Sequence, residues 1–205
     1  MKKVKEKIYQ LLIELTNGRW TSSLLRKFAN SKASRRIIPS FAKQYKINLT
    51  EMDRPIQEYT SLHDFFTRAL INGAREINHE EGTVVSPVDA VLEDSGTIHE
   101  DSSFQVKGKV YSVGEMLGNT KDTEKYLGGR YMVLYLSPSH YHRIHSPVEG
   151  LVTRKSTLGR KSYPVNKWGM TLGKYPLSKN YREITEIQHT GGFLSVVKVG
   201  AMFVN

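Results

Sequence analysis

The strongest constraint on the fold is a change of pattern near residue 83. Beyond it the chain breaks into short β-like runs, TVVSPVDAVL, FQVKG, GRYMVLYL, EGLVTRKSTL, YREITEI and FLSVVKVGAMFVN, separated by turn residues. Short apolar or alternating segments punctuated by Gly and Pro are the pattern of a barrel or sandwich of short strands. Before it the spacing is helical. Residues 3–16 place Val4, Ile8, Leu11, Leu12 and Leu15 on one face with lysines opposite. After Asn17-Gly18, Thr21 or Ser22 can cap a second helix through about Lys32, and Ser34 a third over RRIIPSFAKQYKI with Pro39 in its first turns. Ser61 precedes a short fourth helix, LHDFFTRAL. The expected fold is therefore α+β: N-terminal amphipathic helices followed by a β-rich, barrel-sandwich-like core. Its expected division is a helical module over residues 1–60 and a core over 61–205.

Charge separates the same two parts. Residues 1–50 hold twelve Lys and Arg against Glu6 and Glu14, which accounts for the whole net charge of +10. Basic amphipathic helices can lie on anionic lipid, bind nucleic acid, or be the solvated side of packed helices. Tyr9, Trp20 and the leucines suit an interface-seeking face, and no RNP motif, zinc finger or P-loop is found, so lipid is favoured and no nucleic-acid partner is expected. The chain has no cysteine, which excludes disulfides, a thiolate zinc site and a thiol nucleophile. No apolar run approaches the ~20 residues that span a bilayer.

Chemistry-bearing residues concentrate in LYLSPSHYHRIHSPVEG, residues 134–150, where His140, His142 and His145 follow a strand-like run, and in the Ser86-Pro87-Val88-Asp89-Ala90 turn. One reading binds a metal through His140 and His142, two apart on one strand face, with Asp89. Its weakness is Val85, which stands where the His of a His-x-x-x-Asp ligand pair would be. Another uses proton transfer: Asp89 orients His145 or His142, which activates a hydroxyl.

FFTRALINGAR (65–75), SPVDA (86–90), LYLSPSHYHRIHSPVEG (134–150), YPVN (163–166), LSKNYR (177–182) and VVKVGAMFVN (196–205) together resemble the phosphatidylserine decarboxylase family along essentially the whole chain. The resemblance implies a pyruvoyl-dependent carboxy-lyase, made as a zymogen, that converts phosphatidylserine to phosphatidylethanolamine and CO₂. In such a family a serine attacks its preceding peptide carbonyl, and the new chain begins with the pyruvoyl group, the electron sink for decarboxylation. By motif, Asp89 orients His145, His145 deprotonates the serine, and His142 assists decarboxylation or protonates the product. Ala90 replaces the usual Gly, and His140 an Asp of many members. No Gly-Ser-Ser or Gly-Ser-Thr site is found, so the chain is expected to be the β-chain region, ending before that site, with the pyruvoyl-forming serine beyond Asn205 on an α-chain partner. Alone it is expected to be inactive and to bind no metal. The implied location is peripheral, on the cytoplasmic face of an anionic membrane, and a homodimer is allowed. The alternatives are a zinc-dependent hydrolase using the His140/His142 pair and a catalytically inactive lipid-binding module.

Overall fold

Local capping and turn chemistry account for much of the architecture of this computed structural model, which describes residues 19–99, 101, 103–118, 123–165 and 167–200. The amphipathic helix expected over 3–16 and the last residues, 201–205, lie outside the described residues. Helix α1 (Arg19–Asn30) runs through Thr21 and Ser22, so neither caps it. Within a helix those residues cost only a few tenths of a kcal/mol each relative to better formers.

Ser34 likewise takes a different job from the one expected. It sits inside a 3₁₀ turn (Lys32–Ile37) that leads into α2 (Ile38–Gln44), where Pro39 occupies the first turn. Fully buried, its hydroxyl oxygen accepts the Leu62 backbone N–H at 2.9 Å. It therefore satisfies a free donor at the start of α3 (Leu62–Phe66), a different helix. Ser61 caps α3 as expected, its oxygen accepting the Asp64 N–H at 3.2 Å.

These helices enclose a small apolar core of Ile38, Ala42, Ile47, Met52, Tyr59 and Phe65. Phe65 meets the Tyr59 ring edge-to-face at 5.3 Å, a favoured aromatic geometry. The core belongs to a compact unit formed by Lys27–Glu93 and Val133–Glu149.

The other unit comprises Met1–Arg26, Asp94–Met132 and Gly150–Asn205. Its β2 (Ser103–Val106) and β3 (Lys109–Ser112) form a hairpin, closed by Lys107 and Gly108 at φ 49° and 78°. Two consecutive positive φ values are what a type I′ turn demands. Strands β5 (Leu151–Leu158), β6 (Arg182–His189) and β7 (Gly192–Val199) make an antiparallel meander, with Ser156 opposite Ile184 and Ile184 opposite Val197. Strand β1 (Val91–Thr97) pairs with β4 (Arg130–Tyr135). The chain is thus α+β, with sheets of two, two and three strands and no closed barrel among the described residues.

Buried polar side chains tie the distant segments of this unit together. Asn180, fully buried, accepts the Tyr163 N–H at 2.9 Å and donates Nδ2 to the Tyr163 and Gly200 carbonyls, each at 2.8 Å. Arg182 donates to the Met116, Glu115, Ser178 and Asn180 carbonyls at 2.8, 2.5, 2.5 and 3.2 Å. Gly159 passes so close that an added Cβ would lie 1.9 Å from the Asn180 oxygen, and its φ is +81°. No described helix is long and apolar enough to cross a membrane.

Candidate active site

The histidine segment begins where β4 ends at Tyr135, so His140 and His142 do not share a strand face. Ser137–His140 forms a turn closed by the His140 N–H on the Ser137 carbonyl at 3.0 Å. The turn uses one ring nitrogen of each histidine. His140 Nδ1 accepts the Ser137 N–H at 3.1 Å, and His142 Nδ1 lies 2.9 Å from the His140 carbonyl oxygen. A carbonyl oxygen only accepts, so the neutral His142 carries its proton on Nδ1 and keeps a lone pair on Nε2. No group of three or more His, Cys, Asp or Glu disposed to hold a metal occurs among the described residues.

His142 packs on Phe66, with ring centroids 3.8 Å apart. Burial disfavours its charged form and, with repulsion from Arg68 and His140, pushes its pKa down to about 4 despite the His140 carbonyl. His142 is therefore neutral at physiological pH.

Arg68, at the end of the FFTR sequence, is 3% exposed. Its Nη2 donates to the Ser139 and His140 carbonyls at 3.2 and 3.3 Å. Burial lowers its own pKa, although a guanidinium stays charged. Arg143 adds a bond from Nε to the Thr67 carbonyl at 2.8 Å.

Asp89 and His145 are brought close by two similar turns. In each, a serine hydroxyl donates to the carbonyl two residues on: Ser86 to Val88 and Ser146 to Val148, both at 2.7 Å. The turns run side by side through Val85 N–H to Pro147 O at 3.0 Å and His145 N–H to Pro87 O at 2.9 Å. The Asp89 carboxylate nevertheless makes no hydrogen bond to His145. It receives Arg75 in a fork, Nε at 2.8 Å and Nη2 at 2.5 Å, while Nη2 also reaches Glu51 at 3.0 Å. Arg75 first, then the Tyr141 backbone amide and His140, hold the Asp89 carboxyl below the usual carboxylate range against the effect of burial. His145 Nε2 instead lies 3.0 Å from the Tyr141 hydroxyl, with the two rings stacked 5.5 Å apart. Tyr141 thus engages His145 through its hydroxyl, while Asp89 is held by Arg75.

Of the three predicted site residues, Asp89 and His145 lie on adjoining turns joined by the His145 N–H on the Pro87 carbonyl, and His142 packs on Phe66. Sequence reasoning assigned no role to Phe66, Arg68, Arg75 or Tyr141, although the first three lie in FFTRALINGAR. The available signal was charge: an arginine set within an apolar stretch, as Arg68 is, needs buried acceptors.

Comparison with known proteins places the chain in a lineage. The family model for phosphatidylserine decarboxylase matches residues 62–205. A phosphatidylserine decarboxylase proenzyme of Bacillus cereus (strain ATCC 10987 / NRS 248) is 56% identical over 202 residues, covering 98% of this chain and 77% of its own length. Proenzymes of the same description from Bacillus thuringiensis (strain Al Hakam) and Bacillus mycoides (strain KBAB4) are each 55% identical with the same coverage. The chain belongs to the phosphatidylserine decarboxylase family.

Proposed function

We propose that the chain is the histidine-bearing β-chain region of a phosphatidylserine decarboxylase proenzyme, converting phosphatidylserine to phosphatidylethanolamine and CO₂ when joined to a pyruvoyl-bearing α-chain. The observation that carries the chemistry is the state of His142: neutral, packed on an aromatic ring, Nδ1 committed to a carbonyl and Nε2 left with its lone pair. The pyruvoyl group supplies an electrophilic carbonyl that takes up the electron pair left when CO₂ departs. The residues present fit such a group, because decarboxylation needs a desolvated site and a mobile proton rather than a Lewis acid. His142 Nε2 can accept a proton from the substrate side. Once protonated, an imidazolium with a pKa near 4 is a ready donor to the product carbon.

Self-processing falls to Asp89 and His145. In this reading His145 Nε2 takes the proton of the attacking serine hydroxyl; a hydroxyl partner at 3.0 Å, that of Tyr141, supports it. Asp89, held anionic by Arg75, orients His145 in this reading, the two residues lying on turns joined by the His145 N–H on the Pro87 carbonyl. The serine lies beyond Asn205 in this reading, in keeping with the 77% of relatives' length that the chain spans.

The same reading assigns residues 1–60 to membrane docking and 61–205 to a barrel-sandwich catalytic core, on peripheral attachment to anionic lipid at the cytoplasmic face and with room for a homodimer. Support comes from α1, where Leu24 and Phe28 are 70% and 44% exposed beside the exposed Arg26 and Lys27.

A denaturing gel beside a CO₂-release assay tests the assignment in the full-length proenzyme. His145→Ala or Asp89→Ala leaves the precursor uncleaved, whereas His142→Ala permits cleavage and slows turnover about 10²–10⁴-fold. The 205-residue chain alone releases no CO₂. Normal processing of His145→Ala, or activity from the 205-residue chain, overturns the reading.

A further inference from the structure

Arg68 is an expensive residue to keep. Only Nη2 of its guanidinium finds acceptors, while Nε and Nη1 are buried without hydrogen-bond partners. Its guanidinium carbon lies 5.5 Å from the Phe65 ring. A buried arginine with two unmatched nitrogens contributes little to stability, and an apolar side chain of similar volume is often as good. The Nη2 contacts are more telling. They fall on two consecutive carbonyls, Ser139 and His140, and the second is the acceptor that His142 Nδ1 uses.

We propose that Arg68 is the positioning residue for His142: by holding the Ser139 and His140 carbonyls it fixes the acceptor that selects the Nδ1–H tautomer and aims Nε2 at the reacting atoms. The tautomer matters because the other form would present an N–H where the lone pair is needed. One charged anchor, contributed 71 and 72 residues earlier in the chain, thus sets both the direction and the proton state of the imidazole. The groups acting on that ring from its surroundings are Phe66, Arg68 and the His140 imidazole and carbonyl. Arg143 is committed to the Thr67 carbonyl.

The inference rests on the decarboxylase reading for its kinetic consequence but not for its spectroscopic one. In the self-processed full-length enzyme, Arg68→Met lowers kcat about 10- to 100-fold, the loss expected for a catalytic group displaced by about 1 Å, with KM for phosphatidylserine within about threefold of the parent. In ¹⁵N-histidine spectra of the same protein the Nδ1–H form of His142 dominates in the parent and loses its majority in Arg68→Met. Arg68→Lys, which keeps the charge but lacks the planar fork, recovers part of both. An unchanged His142 tautomer together with unchanged kcat in Arg68→Met overturns the proposal. Should Arg68→Met not fold, Arg68→Lys decides by the same two readouts: partial losses support the role and parental values overturn it. If the parent itself releases no CO₂, the decarboxylase reading fails, and the tautomer comparison still judges the positioning role.

Discussion

The depressed pKa of His142 makes acid sensitivity a direct test of how its ring is buried. Its ordinary value is 6.5 and its folded value is about 4. Because the folded value is the lower one, the unfolded chain binds more protons between those limits. The stabilisation is complete above about pH 6.5 and is lost as pH falls through 4. The separation corresponds to about 3 kcal/mol at about 1.4 kcal/mol per pH unit, and about 2 kcal/mol of it is gone by pH 5. The Asp89, Asp64 and Glu186 carboxyls have folded values pushed below their ordinary ones of 3.8, 3.8 and 4.5. Their contributions are present above those ordinary values and are lost only as the pH falls further. The interval from pH 6.5 to 5 therefore isolates His142 from these carboxylates.

The assay is denaturant unfolding at constant ionic strength between pH 7 and 5, on the parent, His142→Gln and Phe66→Ala. His142→Gln removes the titration, so its stability should fall by about 2 kcal/mol less than the parent's across this range. Phe66→Ala removes the ring 3.8 Å from the imidazole, which rehydrates the site, brings the His142 pKa back toward 6.5 and flattens the dependence. Parallel pH profiles for parent and His142→Gln would refute the claim that burial holds this histidine neutral.

Two further outcomes follow from other parts of the molecule. Leu24→Asp with Phe28→Asp should abolish sedimentation with anionic liposomes; this pair is preferable to a deletion through residue 50, which would remove the core residues Ile38, Ala42 and Ile47. Equal binding of the parent to neutral and anionic vesicles would defeat the docking role, because each basic residue near an anionic surface contributes about 1 kcal/mol. Asn180→Ala strips partners from the Tyr163 N–H, the Tyr163 carbonyl and the Gly200 carbonyl, and should lower stability by about 2–4 kcal/mol in thermal or denaturant unfolding; an unchanged midpoint would mean that water replaces it freely.

What could be read from residues alone was what is local. The individual strands β5, β6 and β7 and the Ser61 cap follow from side-chain alternation and from a hydroxyl placed three residues before a free N–H, and both depend on near neighbours in sequence. Ser34 defeated the same logic, because its hydroxyl serves Leu62, 28 residues away. A strand was expected to carry His140 and His142 on one face, but Ser137-Pro138 ends the extended run and the backbone turns at His140. Proline offers no N–H to extend a ladder, and a turn lets the His140 carbonyl serve both Arg68 and His142.

The same distinction explains the candidate site. The residue types at Asp89, His142 and His145 pointed to proton transfer because few other side chains can do it near neutral pH. Which cation would meet which carboxylate was not encoded in any spacing. Asp89 had Arg75 available 14 residues before it and a histidine cluster about 50 residues after it, and in the fold it takes the arginine. A fork of two charge-assisted bonds is stronger than a single bond to an imidazole, so the guanidinium wins the carboxylate wherever both can reach it. His145 is then left to find a hydroxyl, and Tyr141 provides one at 3.0 Å. The outcome of that competition is an Asp89 bound to Arg75 and a His145 bound to the Tyr141 hydroxyl. On the proposed self-processing route, the serine hydroxyl would have to displace Tyr141 from Nε2 or pass its proton through the Tyr141 oxygen.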